Sequence, residues 1–346
     1  MAAKTAGSQD AGEISGLVIR LDPHPHWQHL GVLAVLLSPL AFVFRLVVAL
    51  RRQAYRLGLK RSRRADRPVI VVGNISVGGS GKTPLVIWLC HWLQEQGFRP
   101  GIVSRGYGGH ARHWPQQVRP DSDPQTVGDE AVVLAQRCGR PVCVGPDRPA
   151  AIEALLQYTD CDIVISDDGL QHYAMARDLE IAVVDGERRF GNGLLLPAGP
   201  LREPVSRLKS VDFVVCNGEA GPGEFAMRMR QPLVRPLLGD GRALPIEHFR
   251  GWRVRAIAGI GNPNRFFDML ERFGLQVVAQ PFPDHHVYRA ADLRFEEELP
   301  VLMTEKDAVK CRSIMKGAAW VVSVEAQPDA PFIHRLSRAV AGLGNR

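Results

Sequence analysis

Two stretches of the chain carry residue types that could bind and transfer phosphate. The first runs Ser76, Val77, Gly78, Gly79, Ser80, Gly81, Lys82, Thr83. It follows the pattern G-x-x-x-x-G-K-[ST] except that serine stands in the first place. Glycines let the backbone curl around a polyphosphate, Lys82 offsets its charge, and the Thr83 hydroxyl can serve Mg²⁺. The opening position mainly shapes the turn, so Ser76 removes no phosphate-contacting group. The second stretch, "CDIVISDDG", is an apolar run ending in Asp167 and Asp168. A carboxylate at that point is the form of an element that holds the Mg²⁺–nucleotide complex.

Several shorter stretches are ambiguous by themselves. "VGDEA" sets Asp129 and Glu130 at a helix start, where acidic residues also simply complement the helix dipole. "FPDHHVY" sets Asp284, His285 and His286 after a strand, and adjacent histidines serve structure as readily as chemistry. "SRGYGG" offers Arg105 and Tyr107, "GPDRPAA" offers Arg148, and "LLPAGPLREP" offers Arg202 and Glu203.

The elements that must position these residues read as an alternation. "RPVIVV" is a β-branched run suited to a buried parallel strand. "TPLVIWLCHWLQEQG" places Leu85, Trp88, Leu89, Trp92 and Leu93 on one helical face, with Gly97 as a stop. The glycine loop therefore sits between a strand and a helix N-terminus, where free N–H groups favour anions. Strand and helix patterns go on alternating from Arg67, which predicts a P-loop-type α/β fold with a parallel sheet flanked by helices. A smaller second α/β domain is expected toward the C-terminus. The boundaries expected are an N-terminal segment over 1–66, a nucleotide-binding core over 67–217, a connection over 218–251 and a C-terminal α/β portion over 252–346. The connection is placed where proline and glycine are dense and periodicity is weakest.

The chain has 346 residues, 45% hydrophobic and 23% charged, which suits a folded globular protein of two domains. Its six cysteines form no C-x-x-C pair, so neither a disulfide framework nor a zinc site is expected. The net charge of +7 is concentrated near the N-terminus. There, "LGVLAVLLSPLAFVF" is uncharged, Arg45 interrupts, and "LVVAL" follows. Arg51, Arg52, Arg56, Lys60, Arg61, Arg63, Arg64 and Arg67 come directly after. The order of basic and apolar parts is the reverse of a secretory signal. Three readings stay open: an interfacial helix, a single span, or a buried helix of the domain. The basic cluster adjoins an apolar helix and lacks interleaved aromatics, which favours anionic lipid headgroups over nucleic acid.

In order, "GNISVGGSGKTP", "SRGYGG", "VGDEA", "SDDGLQH", "LLPAGPLREP", "FPDHHVY" and "TEKDAVK" closely resemble the tetraacyldisaccharide 4′-kinases, the lipid A 4′-kinases of Gram-negative bacteria. The resemblance covers residue 30 to the C-terminus, and that family's loop also lacks the strict first glycine. It implies transfer of the ATP γ-phosphate to the 4′-hydroxyl of tetraacyldisaccharide 1-phosphate, giving lipid IVA, with Mg²⁺. It also implies an N-terminal helix at the cytoplasmic face of the inner membrane. By motif position Asp129 would be the base, oriented by a histidine of the DHH stretch, His285 being preferred to His286. Lys82 and Asp168 would join the catalytic set, Asp167 and Asp168 would serve Mg²⁺ and phosphate, and Glu203 would lie close to the metal. Arg105, Tyr107, Arg148 and Arg202 would meet the substrate. A reading of another class is a membrane-docked switch NTPase acting through protein partners, with "TEKD" as a base-reading motif.

Overall fold

A computed structural model describes residues 27–239 and 241–343. Residues 1–26 of the expected N-terminal segment thus lie outside the described residues. The first domain is built on β1 (Val69–Gly73), β2 (Pro100–Ser104), β3 (Gln116–Val118), β4 (Val142–Val144), β5 (Ile163–Asp167), β6 (Leu179–Asp185), β7 (Phe213–Asn217) and β8 (Phe225–Met229). The second uses β9 (Leu233–Pro236), β10 (Leu244–Pro245), β11 (Arg253–Ala258), β12 (Gln276–Pro281), β13 (Val301–Thr304) and β14 (Ala319–Ser323), after which β15 (Ala326–Pro328) returns to the first. The sheet orders are β15-β8-β7-β6-β1-β5-β2-β4-β3 and β10-β9-β14-β13-β11-β12.

β1 shows why the first sheet is parallel and enclosed. All five of its residues are buried, and successive side chains serve opposite faces. Ile70 and Val72 pack with helices α2 (Lys82–Glu95), α4 (Asp129–Cys138) and α8 (Ala330–Ala341), through residues such as Leu85, Leu134 and Phe332. Val69 and Val71 pack on the other face with Ala151, Ile152 and Leu155 of α5 (Arg148–Tyr158). Each such leucine or isoleucine contributes about 1.5–3 kcal/mol by leaving water. β1 lies between β5 and β6, parallel to both, with Val72 level with Asp167. That register brings the glycine loop and the acid-ended strand side by side.

The second sheet carries α6 (Pro263–Arg272) on one face, through Phe266, Phe267 and Leu270. Its other face holds α7 (Glu305–Cys311), through Ala308 and Cys311, together with Tyr288. The stretch 218–251, read as a connection, instead carries β8 in one sheet and β9 and β10 in the other. Strands so short, broken by proline and glycine, leave little alternation to read. The C-terminal portion is likewise divided, because β15 and α8 belong with the first domain.

Helix α1 (Val32–Arg56) is apolar enough and long enough to cross a membrane by length and composition, with a mean hydropathy of 2.5 over an 18-residue stretch. Only Ala34 and Ala41 are buried within it, while Leu33, Leu36, Leu40, Phe42, Val43 and Leu50 stand exposed. The buried-helix reading is therefore not met. At its basic end Arg52 donates to Ser210 Oγ at 2.7 Å and Tyr55 stacks on Tyr173, which ties α1 to the first domain.

Candidate active site

The glycine loop closes around a fixed turn at the N-terminus of α2. Gly81 holds φ +92, and a side chain there would strike Asn217 Nδ2 at 2.8 Å, so only glycine fits. Val77 N–H donates to the Pro200 carbonyl at 2.8 Å, and Asn74 Nδ2 donates to the buried Ser80 Oγ at 3.1 Å. Ser76 pairs as an isolated bridge with Leu201, so the serine-started loop is laced to the "PAGPLREP" segment. Lys82 points at Asp168, with Nζ 3.6 Å from Oδ1.

The two carboxylates at the end of β5 differ in charge state. Asp168 sits at φ +48, just past the strand, and Arg202 donates to its Oδ2 at 2.8 Å. Burial pushes its carboxyl up, but Lys82 and Arg202 outweigh burial and bring it down to about 2. Asp167 is 2% exposed and accepts from Ser104 Oγ at 3.2 Å. Burial, with repulsion from Glu130 and Asp168, pushes it up to about 7. Asp167 Oδ1 and Asp168 Oδ1 are buried without a hydrogen-bond donor among the described residues. Buried oxygens in that condition suit a hard, oxygen-seeking cation such as Mg²⁺.

Across from them α4 opens on Asp129, 4% exposed. Gly128 before it holds φ +93 and lies so close to the Tyr107 carbonyl that a Cβ would come within 2.6 Å. "SRGYGG" and "VGDEA" are packed together for that reason. His285 Nδ1 meets Asp129 Oδ2 at 3.1 Å, and the Tyr107 ring lies against the His285 ring at 4.9 Å. With a carboxylate as partner, Nδ1 carries the proton. Burial alone would raise the Asp129 carboxyl. The bond from His285 and the charges of Lys306, His285 and Lys310 outweigh it and hold the group below the usual range. The reciprocal effect raises His285, chiefly through its bond with Asp129. Lys306 pairs with Glu130, and Lys310 Nζ lies 3.6 Å from Asp129 Oδ2. The carboxyl ends of both sheets thus face one another across the site, as ligand-binding α/β sheets arrange them.

A model of the family described as tetraacyldisaccharide-1-P 4′-kinase matches residues 33–341. The chain belongs to that family. It is 54% identical to the tetraacyldisaccharide 4′-kinase of Nitrosococcus oceani over 297 residues, 86% of this chain and 88% of that one. Its identity to the Alkalilimnicola ehrlichii protein of the same name is 52% over 326 residues, 92% and 95% of the two chains. Among solved structures it is similar to the "apo" form of LpxK from Aquifex aeolicus in complex with ATP. That likeness has a TM-score of 0.76 and 27% identity, and covers 90% of this chain and 99% of the other.

Within this tetraacyldisaccharide 4′-kinase some expected residues stand elsewhere than motif position suggested. Arg148, expected to meet phosphate or substrate, is fully buried. Its guanidinium donates to the carbonyls of Gly145 and Asp167, at 2.9 and 3.0 Å. It braces the turn after β5 from within the fold. Glu203 is 1% exposed; it accepts from Tyr173 Oη and from Gln171 Nε2, the latter at 2.9 Å. Arg105 and Tyr107 are exposed, Tyr107 against the His285 ring, and His286 turns to Asp292 at 3.1 Å. "TEKD" is no base-reading motif here. Asp307 is fully buried and binds within its own domain.

Sequence reading passed over a second group of residues. Arg188 donates to the Gly79 carbonyl at 2.7 Å and pairs with Asp185 at the end of β6. Arg265, from the first turn of α6, reaches the same Asp185 at 2.9 Å. Lys306 and Lys310 do the corresponding work at α4. Lys306 and Lys310 lie inside the quoted "TEKDAVK" without a role having been read for them, while Arg188 and Arg265 gave no signal beyond following a strand.

Proposed function

We propose that this kinase transfers the γ-phosphate of ATP to the 4′-hydroxyl of tetraacyldisaccharide 1-phosphate, giving lipid IVA, with Asp129 as the base. The observation that carries the assignment is the contact at 3.1 Å between His285 and the buried Asp129, whose neighbour Glu130 feels the charge of Lys82. Phosphoryl transfer asks a protein chiefly for position and charge balance. The loop 76–83 cradles the polyphosphate, Lys82 offsets its charge, and Asp129 accepts the sugar hydroxyl proton. His285 donates to Asp129 and fixes the carboxylate plane. Thr83 and Asp167 are the donors suited to Mg²⁺, which when bound neutralises charge on the phosphate oxygens. Asp168, paired with Lys82 and Arg202, holds both cations toward that space. Arg105, Tyr107 and Arg202 border the acceptor's approach.

The acceptor carries acyl chains and stays in a bilayer, so the enzyme must come to the surface. Exposed apolar side chains of α1, followed by the basic residues 51–67, support docking on anionic lipid at the cytoplasmic face of the inner membrane. Incubation with γ-labelled ATP, with and without the lipid acceptor in micelles, tests the assignment. Label on the glycolipid supports it; acceptor-independent release of phosphate with no labelled lipid overturns it.

A further inference from the structure

Asp307, enclosed in the second domain, serves several donors at once. Gly259 N–H donates to both of its oxygens at 3.1 Å, Tyr288 Oη to Oδ1 at 2.9 Å, and Thr304 Oγ1 to Oδ2 at 2.6 Å. Lys310 Nζ lies 3.2 Å from Oδ1 and over the Tyr288 ring. The same ammonium lies 3.6 Å from Asp129 Oδ2, the oxygen His285 also takes. Tyr288 is three residues beyond His285, so the contacts close a ring through Asp307, Lys310, Asp129, His285 and Tyr288. Nothing in the transfer chemistry derived above uses Lys310, Asp307 or Tyr288.

We propose that Lys310 is a positioning residue for Asp129: held by Asp307, its ammonium sets the orientation and charge of the base from across the domain boundary. The inference rests on the reading of Asp129 as the base. Its geometric ground is the division of labour on that carboxylate. Oδ2 faces both His285 and Lys310 from the second domain, while Oδ1 accepts the Glu130 backbone N–H at 2.8 Å. Rotating the carboxylate would lose Lys310 and His285 together, so Oδ1 keeps its remaining lone pair toward the hydroxyl. An ammonium only 9% exposed acts in poorly screened surroundings, and it is tolerable there because two carboxylates face it. A lysine used only for packing would gain nothing from this expense. The charged groups around Asp129 are Glu130 on its own helix, Lys306 and Lys310 on α7, and Asp284 and His285 on the loop after β12. Asp307 stands behind Lys310.

The test uses the full chain with lipid acceptor in micelles and four variants: Lys310→Met, Lys310→Arg, Tyr288→Phe and Asp129→Asn. Lys310→Met is expected to lower kcat about tenfold, less than the ~10²–10⁴-fold that a general base itself contributes, and to leave the KM for ATP unchanged. Losing a cation raises a carboxyl, so the acid limb of the kcat profile should move up by about one pH unit. Lys310→Arg should recover part of both effects. Wild-type kcat and an unmoved limb in Lys310→Met overturn the proposal, as does a fall in kcat that merely follows the folded fraction. If Lys310→Met does not fold, Tyr288→Phe decides. It leaves Asp307 Oδ1 to Lys310 and the Gly259 N–H and draws the ammonium off Asp129. A lower kcat with a raised limb supports the proposal, and no change in either overturns it. Asp129→Asn separates the two levels. If it stays active, the base assignment itself has failed; if it is inactive while Lys310→Met is normal, only the positioning role has failed.

Discussion

His285 Nδ1 and Asp129 Oδ2 meet at 3.1 Å although 156 residues separate them along the chain. The neighbouring His286 goes the other way, to Asp292, and packs on Phe282 and Tyr288. A left-handed backbone at His285, φ +57, makes consecutive imidazoles diverge. His285→Ala should therefore cost much more kcat than His286→Ala. Equal, small losses in steady-state assays of the two variants would count against the assignment.

Asp129→Asn keeps the shape of the side chain and removes the base. It should lower kcat by ~10²–10⁴ while ATP binding, followed by calorimetry, stays close to wild type. A fall in ATP affinity without a fall in turnover would mean that Asp129 only complements the start of α4.

Lys82→Ala should abolish transfer with little change in the melting curve, because the ammonium faces Asp168 and the phosphate space and not the apolar core. Thr83→Ala should shift the Mg²⁺ dependence of the rate to higher concentration. An unchanged Mg²⁺ titration would remove Thr83 from the donors assigned to the ion.

Asp167 gives a pH prediction with a definite sign. Its carboxyl is raised from 3.8 to about 7 by burial and by its neighbours Glu130 and Asp168. A raised pKa favours folding fully below the unfolded value, and the advantage is lost as pH rises through the folded one. Asp167→Asn should then raise the Tm of the ligand-free protein at pH 8, with the gain shrinking toward pH 4, while activity is lost. Thermal melts at both ends of that window check it; a gain that does not depend on pH would refute it. Sites that bind ions commonly carry such a cost in stability.

Removing residues 1–64 should release the protein into the soluble fraction and lower its rate on acceptor held in bilayers. Replacing the basic residues from Arg51 to Arg64 by Gln should do part of the same, since each contributes about 1 kcal/mol near an anionic surface. Washing membranes with high salt should partly strip a helix lying in the interface and leave a spanning helix in place. Full activity of the truncated protein on membrane-held acceptor would show that α1 is not the anchor.

The phosphate loop and the Asp167–Asp168 pair were legible because each is contiguous, local and announced by a β-branched strand. Helix α4 was legible from its periodicity, and Asp129 from its place at the helix start. His285 was named as its partner through the family motif, but the lysines beside it were not, because Lys306 and Lys310 reach α4 only through contact between two domains. Arg148 was named from its place in "GPDRPAA", but a sequence gives no sign that its guanidinium will be buried and turned to two backbone carbonyls. The weakly patterned stretch 218–251 hid its strands for a simpler reason: three short segments divided between two sheets have no common period.

The second sheet is inserted between β8 and β15, which are hydrogen-bonded neighbours, and the chain leaves and re-enters beside itself where Arg230 N–H donates to the Glu325 carbonyl at 2.8 Å. During synthesis, the outermost strand of the first domain and the helix that carries Phe332, Leu336 and Val340 into its core follow the whole insert. A ribosome therefore finishes the second domain before the first, which carries the phosphate loop, can close its own core. The half with the phosphate loop, although it comes first in the chain, is completed last.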